Sequence, residues 1–139
     1  MTEKEFLTEA IPLLEEVETS AEWLTWCKKY SVYAANDGPA KYEESLYDMM
    51  QKAYHAGLVI TNYVQVKETR KLEDAEIDAA EPLWVAGLDR EETLAAIAWH
   101  FRRDHFREGS LISDSIAKGA LLRLFYHLRD LDRQASEHS

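Results

Sequence analysis

The chain has 139 residues, of which 46% are hydrophobic and 30% are charged, a balance that suits one domain with a real hydrophobic core. Asp and Glu number 26 against 16 Lys and Arg, which gives a formal net charge of −10 and disfavours binding to nucleic-acid phosphates. No apolar run approaches the roughly 20 residues of a membrane span, no secretory signal is recognisable, and Cys27 is the only cysteine. We therefore expect a cytoplasmic protein without membrane association or an internal disulfide.

The first thirty residues predict two helices. Thr2 and Glu5 form a capping-box pair that begins the first one. Its apolar positions recur at helical spacing: Phe6, Ala10, Leu13, Leu14 and Val17. Pro12 interrupts the pattern and predicts either a kink or a restart of the helix. Thr19 with Glu22 predicts the start of the second helix, in which two tryptophans lie close together.

The next segment alternates between loop and helix. Residues 36–39, Asn-Asp-Gly-Pro, form the clearest loop in the chain. A long amphipathic helix follows and ends at Gly57. Residues 58–66 are rich in β-branched side chains, which fits a short strand. Because no second strand is available to pair with it, an extended segment leading into a short helix is the favoured interpretation.

Residues 67–81 are strongly charged and predict an exposed helix or a connector. Leu72 and Ile77 are the only substantial apolar anchors in this stretch, and Pro82 ends it. At the far end of the chain, residues 134–139 predict a frayed tail.

The stretch from Asp89 to Leu131 predicts three helices separated by Gly109 and Gly119. Asp89 with Glu92 is a second capping-box pair. One apolar row belongs to the first of these helices: Leu94, Ile97, Ala98, Phe101 and His105. Another belongs to the last: Leu121, Leu124, Phe125, Leu128 and Leu131. The sequence therefore predicts an all-α protein, a single compact domain over residues 1–139 with about six helices, whose C-terminal helix-Gly-helix-Gly-helix corner packs against the N-terminal helices.

The C-terminal block also resembles a known family. The run RRDHFREGSL followed by SIAKGALLRLFYHL is similar to the signature of an uncharacterised bacterial family of helical proteins, domain-of-unknown-function family six-five-zero-eight. The matching positions are Arg102, Phe106, Glu108, Gly109 and Gly119. His105 stands where the family pattern has a second Arg. The resemblance extends more loosely through the N-terminal half and implies a helical fold, without an established activity.

A basic cluster within this block is the leading candidate site. Arg102, Arg103 and Arg107 lie near a helix corner in an otherwise acidic chain. Guanidinium groups can bind a carboxylate or phosphate bidentately, and Ser110 at the start of the next helix would add hydrogen-bond donors. The alternative is that these arginines pair internally with Asp and Glu. The leading interpretation is a non-enzymatic module that binds a protein partner or a small anionic ligand at residues 102–110.

A second interpretation makes the protein an acid–base or metal-assisted enzyme. His100 and Asp104 are spaced i, i+4, which places both side chains on one helix face. The pair could bind a metal or hold a His tautomer, but it offers only two ligands, so we expect no metal. Its alternative role is a hydrogen bond on the helix surface. No phosphate-cradling glycine loop or G-x-S-x-G elbow occurs, so we expect no cofactor and lean against an enzyme.

A third interpretation is an acidic decoy or inhibitor that docks residues 67–81 on a basic surface of another protein. A helix-turn-helix role is disfavoured because the would-be recognition helix carries Asp114 and only one cation, Lys118. The surplus of Tyr and Trp makes a homodimer a reasonable expectation.

Overall fold

The computed structural model describes residues 1–22, 40–103 and 110–137. These ranges contain no strand, and their helices are, in chain order, α1 (Glu3–Thr19), α2 (Ala40–His55), α3 (Tyr63–Thr69), α4 (Asp74–Ala79), α5 (Pro82–Ala86), α6 (Arg90–Arg102), α7 (Ser110–Ala117) and α8 (Ala120–Glu137). The all-α prediction is confirmed. The predicted loop at 36–39 and the tryptophan-rich part of the second N-terminal helix lie outside the described residues.

α1 begins as its sequence predicts. The Glu5 amide donates to Thr2 Oγ1 at 3.1 Å, and the Thr2 amide donates to Glu5 Oε1 at 3.3 Å, which completes the capping box. The helix continues through Pro12, so the predicted restart does not occur. Pro12 and Thr8 are both exposed, and water can therefore satisfy the Thr8 carbonyl that the proline ring leaves without a partner. Thr19 closes α1 by donating to the carbonyls of its preceding turn, rather than capping the next helix.

α6 lies at the centre of the fold. Asp89 and Glu92 form the predicted capping box at its start, with bonds of 2.8 and 2.9 Å. The described members of the predicted apolar row, Leu94, Ile97, Ala98 and Phe101, are buried. Residues on the other faces of the helix are buried as well: Thr93, Ala95, Ala96 and His100. The middle of the helix, residues 93–98, is covered on every side because α3, α4, α7 and α8 pack against the helix, and the run of alanines permits close approach. The single apolar row predicted from the sequence therefore underestimated how much of α6 is buried.

α8 closes the core against both α1 and α6. Phe125 meets Phe6 of α1 edge to face, with ring centroids 5.4 Å apart. Leu121, Leu124 and Leu128 are fully buried, so the predicted packing of the C-terminal corner on the N-terminal helix α1 is confirmed. α8 continues to Glu137, into the stretch predicted to fray.

Gly119 separates α7 from α8, as predicted. Its φ is +77°, and a Cβ built there would lie 2.9 Å from both Arg123 Nη1 and Glu18 Oε1. Only glycine fits this turn without displacing those side chains.

The middle segment folds into short pieces that carry the site described below. Residues 58–62 are not helical and lead into α3, so the predicted short helix is present. The residues before it form a bend and a turn rather than a strand. The charged stretch comprises the end of α3, a turn in which Lys71 has φ +58°, and α4. Leu72 and Ile77 are buried, as their role of anchors predicts. Among the described residues, none of the helices has the length and apolar character needed to span a bilayer.

Candidate functional site

Four of the six predicted site residues lie in the described part of the chain. His100, Arg102 and Arg103 lie in the last turn of α6 and just after it. Ser110 is the first residue of α7. Asp104 and Arg107, together with His105, lie outside the described residues, and so does the predicted His100–Asp104 pairing.

His100 is buried rather than on the helix surface. Its exposure is 0%, and both ring nitrogens have partners: Nε2 lies 2.8 Å from the Ile77 carbonyl and Nδ1 lies 2.7 Å from Ser115 Oγ. Because a carbonyl only accepts, Nε2 carries the proton and Nδ1 is left to accept from the Ser115 hydroxyl. Burial lowers the pKa of His100 from 6.5 to about 3. The hydrogen bond to the Ile77 carbonyl opposes this shift, whereas the positive charges of Arg103 and Lys118 add to it. His100 is thus a neutral core residue that joins α4 to α6 and α7.

Ser115 completes a buried relay that the sequence did not single out. Arg103 Nη2 donates to Ser115 Oγ at 2.8 Å, and Ser115 donates in turn to His100. Ser115 is fully buried. A Ser–His pair suggests nucleophilic chemistry, but neither side chain can reach a substrate from this position. The relay is structural.

A charged cluster covers the outer side of this relay; we call its four residues, Asp78, Arg103, Asp114 and Lys118, the Asp78 cluster. Asp78 Oδ1 accepts from Arg103 Nη1 at 2.8 Å and from Lys118 Nζ at 2.5 Å. Asp114 lies farther out, 3.3 Å from Lys118 and 3.8 Å from Arg103. Partial burial of Asp78 disfavours its charge, but hydrogen bonding and attraction from Lys118 and Arg103 outweigh burial, so the pKa of Asp78 lies below its usual value.

The two cations of the Asp78 cluster also have partners of their own. The Arg103 guanidinium lies over the Trp99 ring, 4.6 Å from its centroid, and only 18% of the Arg103 side chain is exposed. Lys118 and Asp114 are spaced i, i+4 at the end of α7. Arg103 therefore follows the internal-pairing alternative of the sequence analysis.

Arg123 fixes the backbone beneath the Asp78 cluster. Its Nε donates to the Ala80 carbonyl at 2.7 Å, its Nη2 to the Ala79 carbonyl at 3.1 Å and its Nη1 to the Lys118 carbonyl at 3.2 Å. These carbonyls lie at the C-terminal ends of α4 and α7, where the helix itself has no further backbone amide to donate to them. Ala80 has φ +44°, a conformation that L-residues rarely adopt, and this grip helps to hold it there.

Arg102 faces the other way. Its side chain is exposed, and it makes no hydrogen bond or ion pair with any described residue. Five other arginines of the described ranges have polar or ionic partners: Arg70, Arg90, Arg103, Arg123 and Arg129. Arg133, near the end of α8, is the other arginine that is exposed without such a partner there. The predicted basic cluster is thus divided into an inward Arg103 and an outward Arg102.

A second ionic cluster lies at the opposite end of α6. Arg90 donates from Nη2 to Glu3 Oε2, and its Nε lies 3.2 Å from Asp132 Oδ1. Burial of Glu3, with Asp132 close by, raises the pKa of Glu3 from 4.5 to about 7 against the opposing effect of Arg90. This cluster joins α1, α6 and α8, and it is structural by its position.

A groove lies between α1 and α2. Its cavity volume is about 200 Å³, below the roughly 300–1,000 Å³ of typical small-molecule sites. Lys52 Nζ lies 3.0 Å from Glu9 and 2.9 Å from Asp48 among the residues that line it. The end of α6 remains the stronger candidate.

Comparison with known proteins gives one match. The model of a family of unknown function, DUF6508, matches residues 2–134. No curated protein and no solved structure matches the chain.

Proposed function

We propose that this chain, which belongs to the DUF6508 family of unknown function, is a non-enzymatic helical binding module. Its binding site is the corner that follows α6, residues 102–110, and its ligand is an anionic group carried by a protein partner or a small molecule. Arg102 makes the first contact, and Arg103, Arg107 and Ser110, the first residue of α7, are the other residues of the proposed site. The module works in the cytoplasm.

The observation that carries this proposal is the exposed guanidinium of Arg102, without a partner among the described residues. Carboxylates are abundant in a chain of net charge −10. Most of the described arginines are paired with a carboxylate or a backbone carbonyl. Arg102 is exposed at the end of a rigid helix, so an incoming anion would meet its guanidinium group first.

The first test is binding of an acidic probe by an Arg102→Ala variant. We expect the affinity for a hexaglutamate peptide, measured by NMR titration, to fall about tenfold or more, because a hydrogen bond to a charged group contributes about 1.5–3 kcal/mol. Arg133→Ala is the matched control, since Arg133 is also exposed and unpaired within the described chain, and it should leave the affinity unchanged. Equal affinities for Arg102→Ala and the unaltered protein would end the proposal.

The enzyme alternative has less support. A general acid or base must come within hydrogen-bond reach of its substrate, whereas His100 is sealed in the core with both nitrogens occupied. A group whose pKa is about 3 is also poorly matched to proton transfer near neutral pH.

A second candidate function is docking of the acidic segment of this chain on a basic surface of another protein. α4 and α5 present exposed carboxylates at Glu73, Glu76 and Glu81, and Leu83 beside them is 91% exposed. An apolar side chain within an acidic surface suits a basic amphipathic segment of another protein.

The test of this second candidate uses an amphipathic lysine–leucine peptide. We expect its affinity to fall steeply between about 0.1 M and 1 M salt, where the Debye length shrinks from about 10 Å to 3 Å. Leu83→Ser should weaken binding further, and Ala86→Ser, at an exposed position on the same helix, is the control. Binding that ignores both salt and Leu83 would rule this function out.

A further inference from the structure

The Asp78 cluster has the composition of an oxyanion site that is already filled. An arginine and a lysine from two different helices converge on one carboxylate oxygen, at 2.8 and 2.5 Å. That carboxylate belongs to the chain itself. We propose that Asp78 is an internal stand-in, and that Arg103 and Lys118 form a binding site for the carboxylate group of an external ligand, which Asp78 blocks until it is displaced. The inference rests on the proposed binding role of this corner.

The cations would stay in place when Asp78 leaves. Arg103 is held by the Trp99 ring and by Ser115, at 4.6 Å and 2.8 Å. Lys118 keeps Asp114 at 3.3 Å, and its carbonyl is held by Arg123. The recognition groups are therefore preorganised, which lowers the cost of binding a replacement.

Asp78 can leave without any movement of α4. The carbonyl of Ile77 before it accepts from His100, and the carbonyls of Ala79 and Ala80 after it accept from Arg123. The backbone is thus fixed on both sides, whereas 42% of the Asp78 side chain is exposed. A rotation of one side chain toward water opens the site.

Charge balance selects the ligand class. Arg103 and Lys118 contribute two positive charges, and Asp78 and Asp114 contribute two negative ones, so the charges of these four residues balance. A monoanionic carboxylate in place of Asp78 preserves that neutrality inside the cluster. A phosphate dianion would bring an excess charge beside Asp114, 3.3 Å from the shared lysine, which is unfavourable. The ligand is therefore a carboxylate, from a free organic acid or from an acidic peptide.

The test removes the charge of the stand-in. In Asp78→Asn a neutral amide replaces the competing carboxylate, so the two cations hold their internal partner less strongly. We expect affinity for carboxylates to rise about tenfold or more, because an internal competitor lowers apparent affinity by the fraction of sites it blocks. Asp74→Asn is the matched control: it lies on the same helix and is ion-paired at 2.7 Å, but to Lys67 outside the cluster. Asp78→Glu keeps the charge and should not show the gain. Adding Arg103→Gln to Asp78→Asn should abolish it.

Two probes distinguish the source of the carboxylate. Sodium acetate represents a free acid and hexaglutamate represents a partner protein, each measured by NMR titration against sodium chloride at equal ionic strength. A gain with both probes indicates a site open to any carboxylate, and a gain with the peptide alone indicates a protein partner. No gain with either probe overturns the inference.

The unaltered protein provides a second measurement in case Asp78→Asn folds poorly. In high acetate the pKa of Asp78, followed by carboxyl NMR, should rise toward its ordinary value, because displacement removes it from Arg103 and Lys118. A pKa that is the same in acetate and in chloride contradicts displacement.

If Arg102→Ala has no effect while the Asp78→Asn gain persists, the proposed role of Arg102 fails and the Asp78 site stands. If Arg102→Ala weakens binding but Asp78→Asn does not strengthen it, the reverse holds.

Discussion

At the scale of single residues, His100 shows how a polar side chain can belong to the core. The i, i+4 spacing of His100 and Asp104 placed it on a helix face, but spacing alone does not reveal what covers that face. The partners of His100 are Ser115 and the Ile77 carbonyl, fifteen and twenty-three residues away. The buried role could not be predicted because it depends on these long-range contacts, although a histidine on an otherwise apolar helix is a fair signal for a hydrogen-bonded core position.

His100 makes the stability of the protein depend on pH. The unfolded chain binds a proton on this histidine below pH 6.5, whereas the native state leaves it neutral down to about pH 3. Its contribution to stability is therefore complete above pH 6.5 and is lost as pH falls toward 3, at up to about 1.4 kcal/mol per pH unit. We expect His100→Phe to lack this dependence and to cost about 1–3 kcal/mol at neutral pH, because Ser115 and the Ile77 carbonyl lose their partner.

The measurement is the free energy of unfolding by denaturant over a series of pH values. The difference between the unaltered protein and His100→Phe should shrink steadily below pH 6.5. A constant difference across that range would show that His100 is not neutral in the native state.

At the scale of elements, local signals predicted helix ends well. The capping boxes at Thr2 and Asp89 and the turn at Gly119 form as expected, since each depends on residues within a few positions of one another. The burial of α6 and the composition of the Asp78 cluster were not predictable in the same way. Alanines give no directional signal, so only the packing of four other helices decides that the middle of α6 is buried on every side.

The Asp78 cluster illustrates the same limit. Asp78 lies 25 residues from Arg103 and 40 from Lys118, and it comes from a stretch predicted to be a charged helix or connector. The sequence could indicate that arginines near residue 102 would either bind a ligand or pair internally. It could not assign Arg102 to one role and Arg103 to the other, because that division depends on where α4 packs.

At the scale of the whole molecule, the two ends of α6 carry groups that titrate in opposite senses. Glu3 has a native pKa of about 7 against 4.5 when unfolded, so its contribution to stability is complete below pH 4.5 and is lost as pH rises through 7. His100 behaves in the opposite way over much of the same range. The two dependences therefore offset each other between pH 4.5 and 6.5.

We expect each single variant to show a dependence of the free energy of unfolding on pH that is offset in the unaltered protein. In Glu3→Gln the free energy of unfolding should rise with pH between 4.5 and 6.5, and in His100→Phe it should fall, while the unaltered protein changes less than either. Glu76→Gln, at an exposed position on α4, is the control and should follow the unaltered protein. Parallel curves for Glu3→Gln and the control would mean that Glu3 is ionised throughout this range in the native state.

The contact of Arg90 with Glu3 and Asp132 also fixes where the two ends of the described chain emerge. Both leave from the side of the bundle where α6 begins, whereas Arg102 lies at the other end of that thirteen-residue helix, about 18 Å away at 1.5 Å per residue. An affinity tag or fluorophore attached near residue 1 or residue 137 would therefore stand clear of Arg102. Immobilising the protein near either of those residues leaves the Arg102 side chain exposed to solution.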